Sequence, residues 1–186
     1  VSHSIAQSVW KTTSENKELY SQAVAWTGLV NGFYNVVTFL SAFALVAVAR
    51  KYGAKWVHAG ALILAAVGLW MFPHISNKYM LFVPMIGFGI AWASMMGVPY
   101  IIAVAAIPRE RYGVYMGIIN MMIVIPMLIQ TLTFGKVYHN FLGATPGNAI
   151  MFAGALLFMA AMATLLIKTP KQESNLPMPA RIGGGH

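Results

Sequence analysis

The chain has 186 residues, of which 59% are apolar and 9% charged, with a formal charge of +8 and a mean hydropathy of +0.68. A soluble domain places about a quarter of its residues as charges on its surface, so this composition excludes an ordinary wet exterior and predicts an all-α membrane protein. With no cysteine present, disulfides, thiolate metal sites and cysteine nucleophiles are excluded as well.

Residues 1–22 read as the outer end of a preceding helix followed by an external loop. No signal-peptide layout precedes the first apolar run, so the chain is expected to be the C-terminal portion of a longer protein. Five apolar spans follow, at 23–48, 57–72, 80–107, 114–135 and 148–167. Each approaches or exceeds the roughly 17 to 25 helical residues that cross a hydrocarbon core. Together they predict a five-helix transmembrane bundle over 23–167.

The first span carries Asn31, Tyr34, Asn35 and Thr38 at i, i+3, i+4, i+7 spacing, with Ser41 beyond them. These four share one helix face. Polar groups are expensive in lipid, so the face is expected to meet either a solvated binding pathway or a neighbouring helix. The second span is bland and reads as a peripheral, lipid-facing helix with His58 at its entrance.

The third span holds Gly87, Ala91 and Ser94 along one side, which predicts close helix packing. Pro84 and Pro99 predict bends, and Trp92 is a candidate for stacking on a ring-shaped substrate. The short cationic turn around Arg111, Gly113 and Gly117 comes next. In the fourth span, Asn120 and Thr131 share a face with Val124 and Met127, Gln130 lies nearby, and Pro126 predicts a bend. The fifth span has Thr164 as its single polar side chain and reads as peripheral. The proline- and glycine-containing tail, 168–186, is expected to be a disordered cytoplasmic terminus.

The twelve basic residues are scattered among the connecting segments, which argues against nucleic acid as a partner. The positive-inside rule accounts for them better. Arg50, Lys51, Lys55, Arg109, Arg111, Lys168, Lys171 and Arg181 fall on one side, against Lys11, Lys17, Lys78 and Lys136 on the other. That asymmetry puts the N-terminus outside and the C-terminus in the cytoplasm.

The acids, Glu15, Glu18, Glu110 and Glu173, all lie outside the spans. Intramembrane metalloproteases and phosphotransferases need clustered His or Asp, and a serine hydrolase needs a facing histidine. Ser94 has no histidine at matching depth by sequence position, so an enzyme is not expected.

The turn at 108–117 has the outline P-x-x-x-R-G-x-x-x-G with one residue of slack at Tyr112, and it resembles turns of the major facilitator superfamily. The stretches Pro84-Met85-Ile86-Gly87-Phe88-Gly89-Ile90-Ala91-Trp92-Ala93-Ser94 and Gly113-Val114-Tyr115-Met116-Gly117-Ile118-Ile119-Asn120, then Ile123-Val124-Ile125-Pro126, resemble its sucrose and maltose proton symporters, of the glycoside-pentoside-hexuronide:cation type. Trp26 and the Tyr34-Asn35 pair add to this resemblance. One position departs from it, because Met127 stands where that family commonly has Gln.

The resemblance implies spans eight to twelve of a twelve-helix sugar transporter, working by alternating access around a midplane site. Sugars call for neutral donors and acceptors, so Asn31, Tyr34, Asn35, Thr38, Trp92, Asn120 and Gln130 are the expected substrate-binding residues. Pro99, Pro126, Arg111 and Gly113 are the expected hinge and gating residues. No resident cofactor or metal is expected, only a coupling proton or sodium ion. With no acid in these spans, coupling is assigned to a missing N-terminal half in the plasma (inner) membrane. A major facilitator exporter of apolar compounds and a non-transporting membrane sensor or scaffold remain alternatives.

Overall fold

The structure, a computed structural model, describes residues 1–106 and 111–167, with side chains described except at 99–106 and 112. Helices α1 (Ser2–Ser8), α2 (Lys17–Tyr52), α3 (Ala54–Met71), α4 (Phe82–Ala106), α5 (Tyr112–Asn140) and α6 (Pro146–Leu166) follow one another, with 3-10 turns at Phe72–His74 and Lys78–Leu81. Among the described residues there is no strand. Five of the helices are long and apolar enough to cross a membrane. Helices suit such segments because each satisfies its backbone hydrogen bonds internally, where lipid offers none.

Local chemistry sets the helix ends. Helix α2 starts at Lys17 rather than at residue 23 because the Asn16 side chain accepts a hydrogen bond from the Leu19 amide at 3.3 Å, with Glu18 in the first turn. It ends at Gly53, whose φ of +89° is a conformation that residues with a Cβ rarely adopt. Helix α3 begins at the next residue, so a single glycine makes the corner between α2 and α3.

The packed helices run in the order α2, α4, α3, α6, with α1 against α2. Lipid is as apolar as a leucine side chain, so helix association in a membrane rests on close contact and hydrogen bonds. Glycines make these contacts. A Cβ on Gly87 would sit 2.9 Å from the Leu64 carbonyl oxygen of α3, and one on Gly89 would sit 2.9 Å from the Tyr34 carbonyl oxygen of α2. Helix α4 therefore wedges between its neighbours on two faces separated by two residues. On α6, a Cβ at Gly154 would meet the Trp70 ring at 2.8 Å. A hydrogen bond also ties α6 to α3, where Lys55 Nζ donates to the Ile167 carbonyl at 2.7 Å, at the C-terminal end of α6.

Several expectations change here. Helix α3 is the hub of the packing rather than a peripheral helix, with Ala59, Ala61, Leu62, Ala65, Ala66 and Gly68 buried. Its lack of polar groups carried no information about lipid exposure, because small side chains give a smooth surface that neighbours approach closely. Helix α6 does present most of its surface outward, burying Gly154, Ala161 and Thr164.

Pro84 lies in the first turn of α4, where a missing amide hydrogen breaks no helical bond, so it starts the helix instead of bending it. Helix α4 continues through position 99, and α5 continues through Pro126. The side chain of Pro99 lies outside the described residues, as do 107–110 and the tail 168–186.

Candidate functional site

Helices α2 and α4 pack alongside each other in the same chain direction, with contacts running from Trp26 and Phe82 to Thr38 and Gly89. At the Lys78 end, Trp26 and Phe33 meet Phe82 edge-on, with ring centroids 6.0 and 4.9 Å apart. The Trp26 indole donates to the Lys78 carbonyl at 3.1 Å, anchoring the 3-10 turn before α4. Further in, Tyr34 meets Phe88 edge-on at 5.4 Å, and Phe88 stacks on Trp92 at 6.2 Å with 24° between the rings.

The polar face of α2 divides in two. Thr38 Oγ lies 2.9 Å from the Tyr34 carbonyl oxygen and 3.1 Å from the Gly89 carbonyl oxygen, so its single proton is shared between its own helix and α4. Tyr34 and Thr38 are thus packing residues, half-buried at the α2–α4 seam. Asn31 and Asn35 are exposed beside that seam. The Asn35 amide donates to the Asn31 carbonyl at 2.7 Å, leaving its side-chain oxygen directed elsewhere.

The four residues that share one sequence face therefore fall into two pairs. The i, i+4 pair Tyr34 and Thr38 binds the neighbouring helix, while the i, i+4 pair Asn31 and Asn35 offers amides. Trp92, 40% exposed, adds an aromatic surface. Beyond Thr38 the seam opens into a groove of about 290 Å³, lined by Thr38, Ala42, Leu45, Val46, Ala93, Met96, Gly97 and Val98. Among the described residues Thr38 is its one polar side chain, and it stands where the amide-bearing stretch gives way to the apolar one.

Asn120 and Gln130 lie on α5, of which no described residue is buried. Arg111 is the exposed residue preceding the first turn of α5, and Gly113 and Gly117 face open space. Thr131 and Thr133 return their hydroxyls to carbonyls four residues back, at 2.9 and 2.7 Å.

One pairing was missed by sequence reasoning. His58 Nδ1 lies 2.8 Å from Ser94 Oγ across the α3–α4 interface. Helix α3 begins at Ala54, and its register against α4 sets His58, the fifth residue of the helix, level with Ser94. The expectation that Ser94 has no facing histidine is therefore corrected. Ser94 is fully buried, so no substrate carbonyl reaches its oxygen, and no acid in the spans orients the imidazole as a hydrolase requires. No pattern in the sequence links positions 58 and 94, since the pairing depends on the register between two helices. Among the described residues, no cluster of His, Asp or Glu is arranged to hold a metal.

No curated protein and no solved structure matches the chain. A family model described as Major Facilitator Superfamily matches residues 9–181. This match spans all five membrane-crossing helices, agrees with their all-α architecture and small-residue packing, and shows that the chain belongs to the major facilitator superfamily.

Proposed function

We propose that the chain forms the C-terminal half of a secondary transporter that moves a neutral sugar, a di- or oligosaccharide such as sucrose or maltose, by alternating access coupled to a proton or sodium ion. The chain is an integral membrane protein of a transporter superfamily. The sugar reading is carried by the exposed Asn31 and Asn35 amides beside the Tyr34, Phe88 and Trp92 rings. Amides pair with hydroxyls, aromatic faces cover the apolar side of a sugar ring, and the absence of acids in the spans suits an uncharged cargo.

In this reading Asn120 and Gln130 on α5 contribute once α5 and the N-terminal half close around the site. Pro99, Pro126, Arg111 and Gly113 belong to the moving parts. The plasma membrane and a cytoplasmic C-terminus complete the proposal. Uptake of labelled sucrose and maltose by vesicles containing the full-length transporter tests it. Saturable uptake is expected, and specific binding without flux would convert the reading to a sensor or scaffold.

A second reading, export of apolar compounds, is favoured by the apolar groove beyond Thr38. Competition separates the two. Apolar compounds that are themselves extruded, in vesicles that leave sugar unmoved, would establish the exporter.

A further inference from the structure

The threonine hydroxyls of α2, α5 and α6 share one habit. Thr27, Thr38, Thr131, Thr133 and Thr164 each donate to the carbonyl four residues back, at 2.7 to 2.9 Å. Ser94, buried in α4, instead has its hydroxyl 2.8 Å from a histidine on another helix.

His58 is half-buried in the fifth position of α3. An imidazole is the side chain whose charge ordinarily changes between about pH 5 and 8. Among the described residues, α4 and α6 bring no charged side chain to this region. On α4 the facing partner is Ser94, and Phe82–Val98 contains no charged residue. Helix α6 has no charged residue over its whole length, and Thr164 is its buried polar group. The charges nearby in sequence are cations, namely Lys55 one turn earlier on α3 and Arg50 and Lys51 at the end of α2. Lys55 is already engaged with the Ile167 carbonyl. Glu110 lies outside the described residues.

We infer that His58 is a proton-binding site whose occupancy resets the Ser94 hydrogen bond and, through it, the shape of α4 along the α2–α4 groove. With Nδ1 unprotonated, Ser94 Oγ–H donates to it. When a proton from the aqueous phase binds the Nδ1 lone pair, Nδ1–H becomes the donor and Ser94 Oγ the acceptor. The serine proton must then find another acceptor, and the Ile90 carbonyl, four residues back in α4, is the one a helical hydroxyl reaches.

Back-bonding of this kind bends helices. The bend falls beside Ala93 and Gly97, which line the groove on the neighbouring faces of α4. Loss of the proton reverses each step. This deepens the coupled-transport reading and rests on it, because it places a proton site in this chain, where the sequence led us to expect none.

The test uses vesicles containing the full-length transporter, with sucrose and maltose as probes. Exchange of sugar across the membrane needs no net proton movement, whereas accumulation driven by a pH gradient does. His58→Asn is expected to keep exchange within about threefold of wild type and to lose gradient-driven accumulation by about tenfold or more. Accumulation as in wild type would overturn the proposal.

The second measurement does not depend on transport: the pH titration of the ¹⁵N-labelled His58 imidazole in wild-type protein and in Ser94→Ala. A midpoint in the wild type that moves in Ser94→Ala is expected. A His58 that does not titrate between pH 5 and 8, or an identical midpoint in both proteins, would overturn the proposal. If wild-type vesicles neither exchange nor accumulate sugar, the sugar reading falls, and the titration decides the proton site by itself.

Discussion

Thr38 and Asn35 lie three residues apart on the same helix and do different work. Thr38 shares its proton with the Gly89 carbonyl of α4, and such interhelical bonds are worth about 0.6 to 1.7 kcal/mol in membrane proteins. Thr38→Val is expected to destabilise the protein within that range, read from thermal unfolding in detergent, and unchanged stability would show that the bond is incidental. Asn35 bonds only within its own helix and is exposed, so Asn35→Ala is expected to change stability by no more than about 0.5 kcal/mol. Under the proposed sugar-transport function, apparent affinity for sucrose or maltose is expected to weaken about tenfold, equivalent to ~1.4 kcal/mol. Normal affinity with lowered protein levels would assign Asn35 to packing instead. The spacing in the sequence placed all four polar residues on one face, yet it did not distinguish those bonded to a neighbour from those left open, because that depends on where α4 lies.

At the scale of whole helices, α4 acts as a wedge whose two glycine contacts fix its distance from α2 and α3. Gly89→Ala would put a methyl group 2.9 Å from the Tyr34 carbonyl oxygen and from Val37 Cβ. Overpacking of this kind costs about 1 to 3 kcal/mol, so a lower unfolding temperature and weaker α2–α4 association are expected. Gly32→Ala, on the open side of α2 with nothing within 4 Å of the added carbon, is expected to be neutral or stabilising by up to about 1 kcal/mol. Marked destabilisation at Gly32 would show that another helix covers that face in the full transporter. The small residues Gly87, Ala91 and Ser94 were legible as a packing stripe, and they do lie against α3. The central position of α3 was not legible, since an alanine-rich helix has the same sequence character whether it faces lipid or the middle of a bundle.

For the whole molecule, the alternation of helices puts the Arg50, Lys51 and Lys55 corner on the opposite side from the Lys78 turn. In the proposed orientation, which follows the positive-inside rule, the first of these is cytoplasmic. Because the chain has no cysteine, single replacements give a clean readout. Asn77→Cys is expected to react with a membrane-impermeant thiol reagent on intact cells, and Lys51→Cys only after permeabilisation; the reverse pattern would invert the orientation. Length, apolarity and the placement of charge determined by themselves that this chain crosses a membrane as helices, because the cost of unpaired backbone and buried charge in lipid leaves little choice. Which helices touch was decided by tertiary structure alone. The division of the α2 polar face, the hub role of α3 and the meeting of His58 with Ser94 all follow from contacts of a few ångströms between residues far apart in the chain, and hydropathy carries no record of such distances.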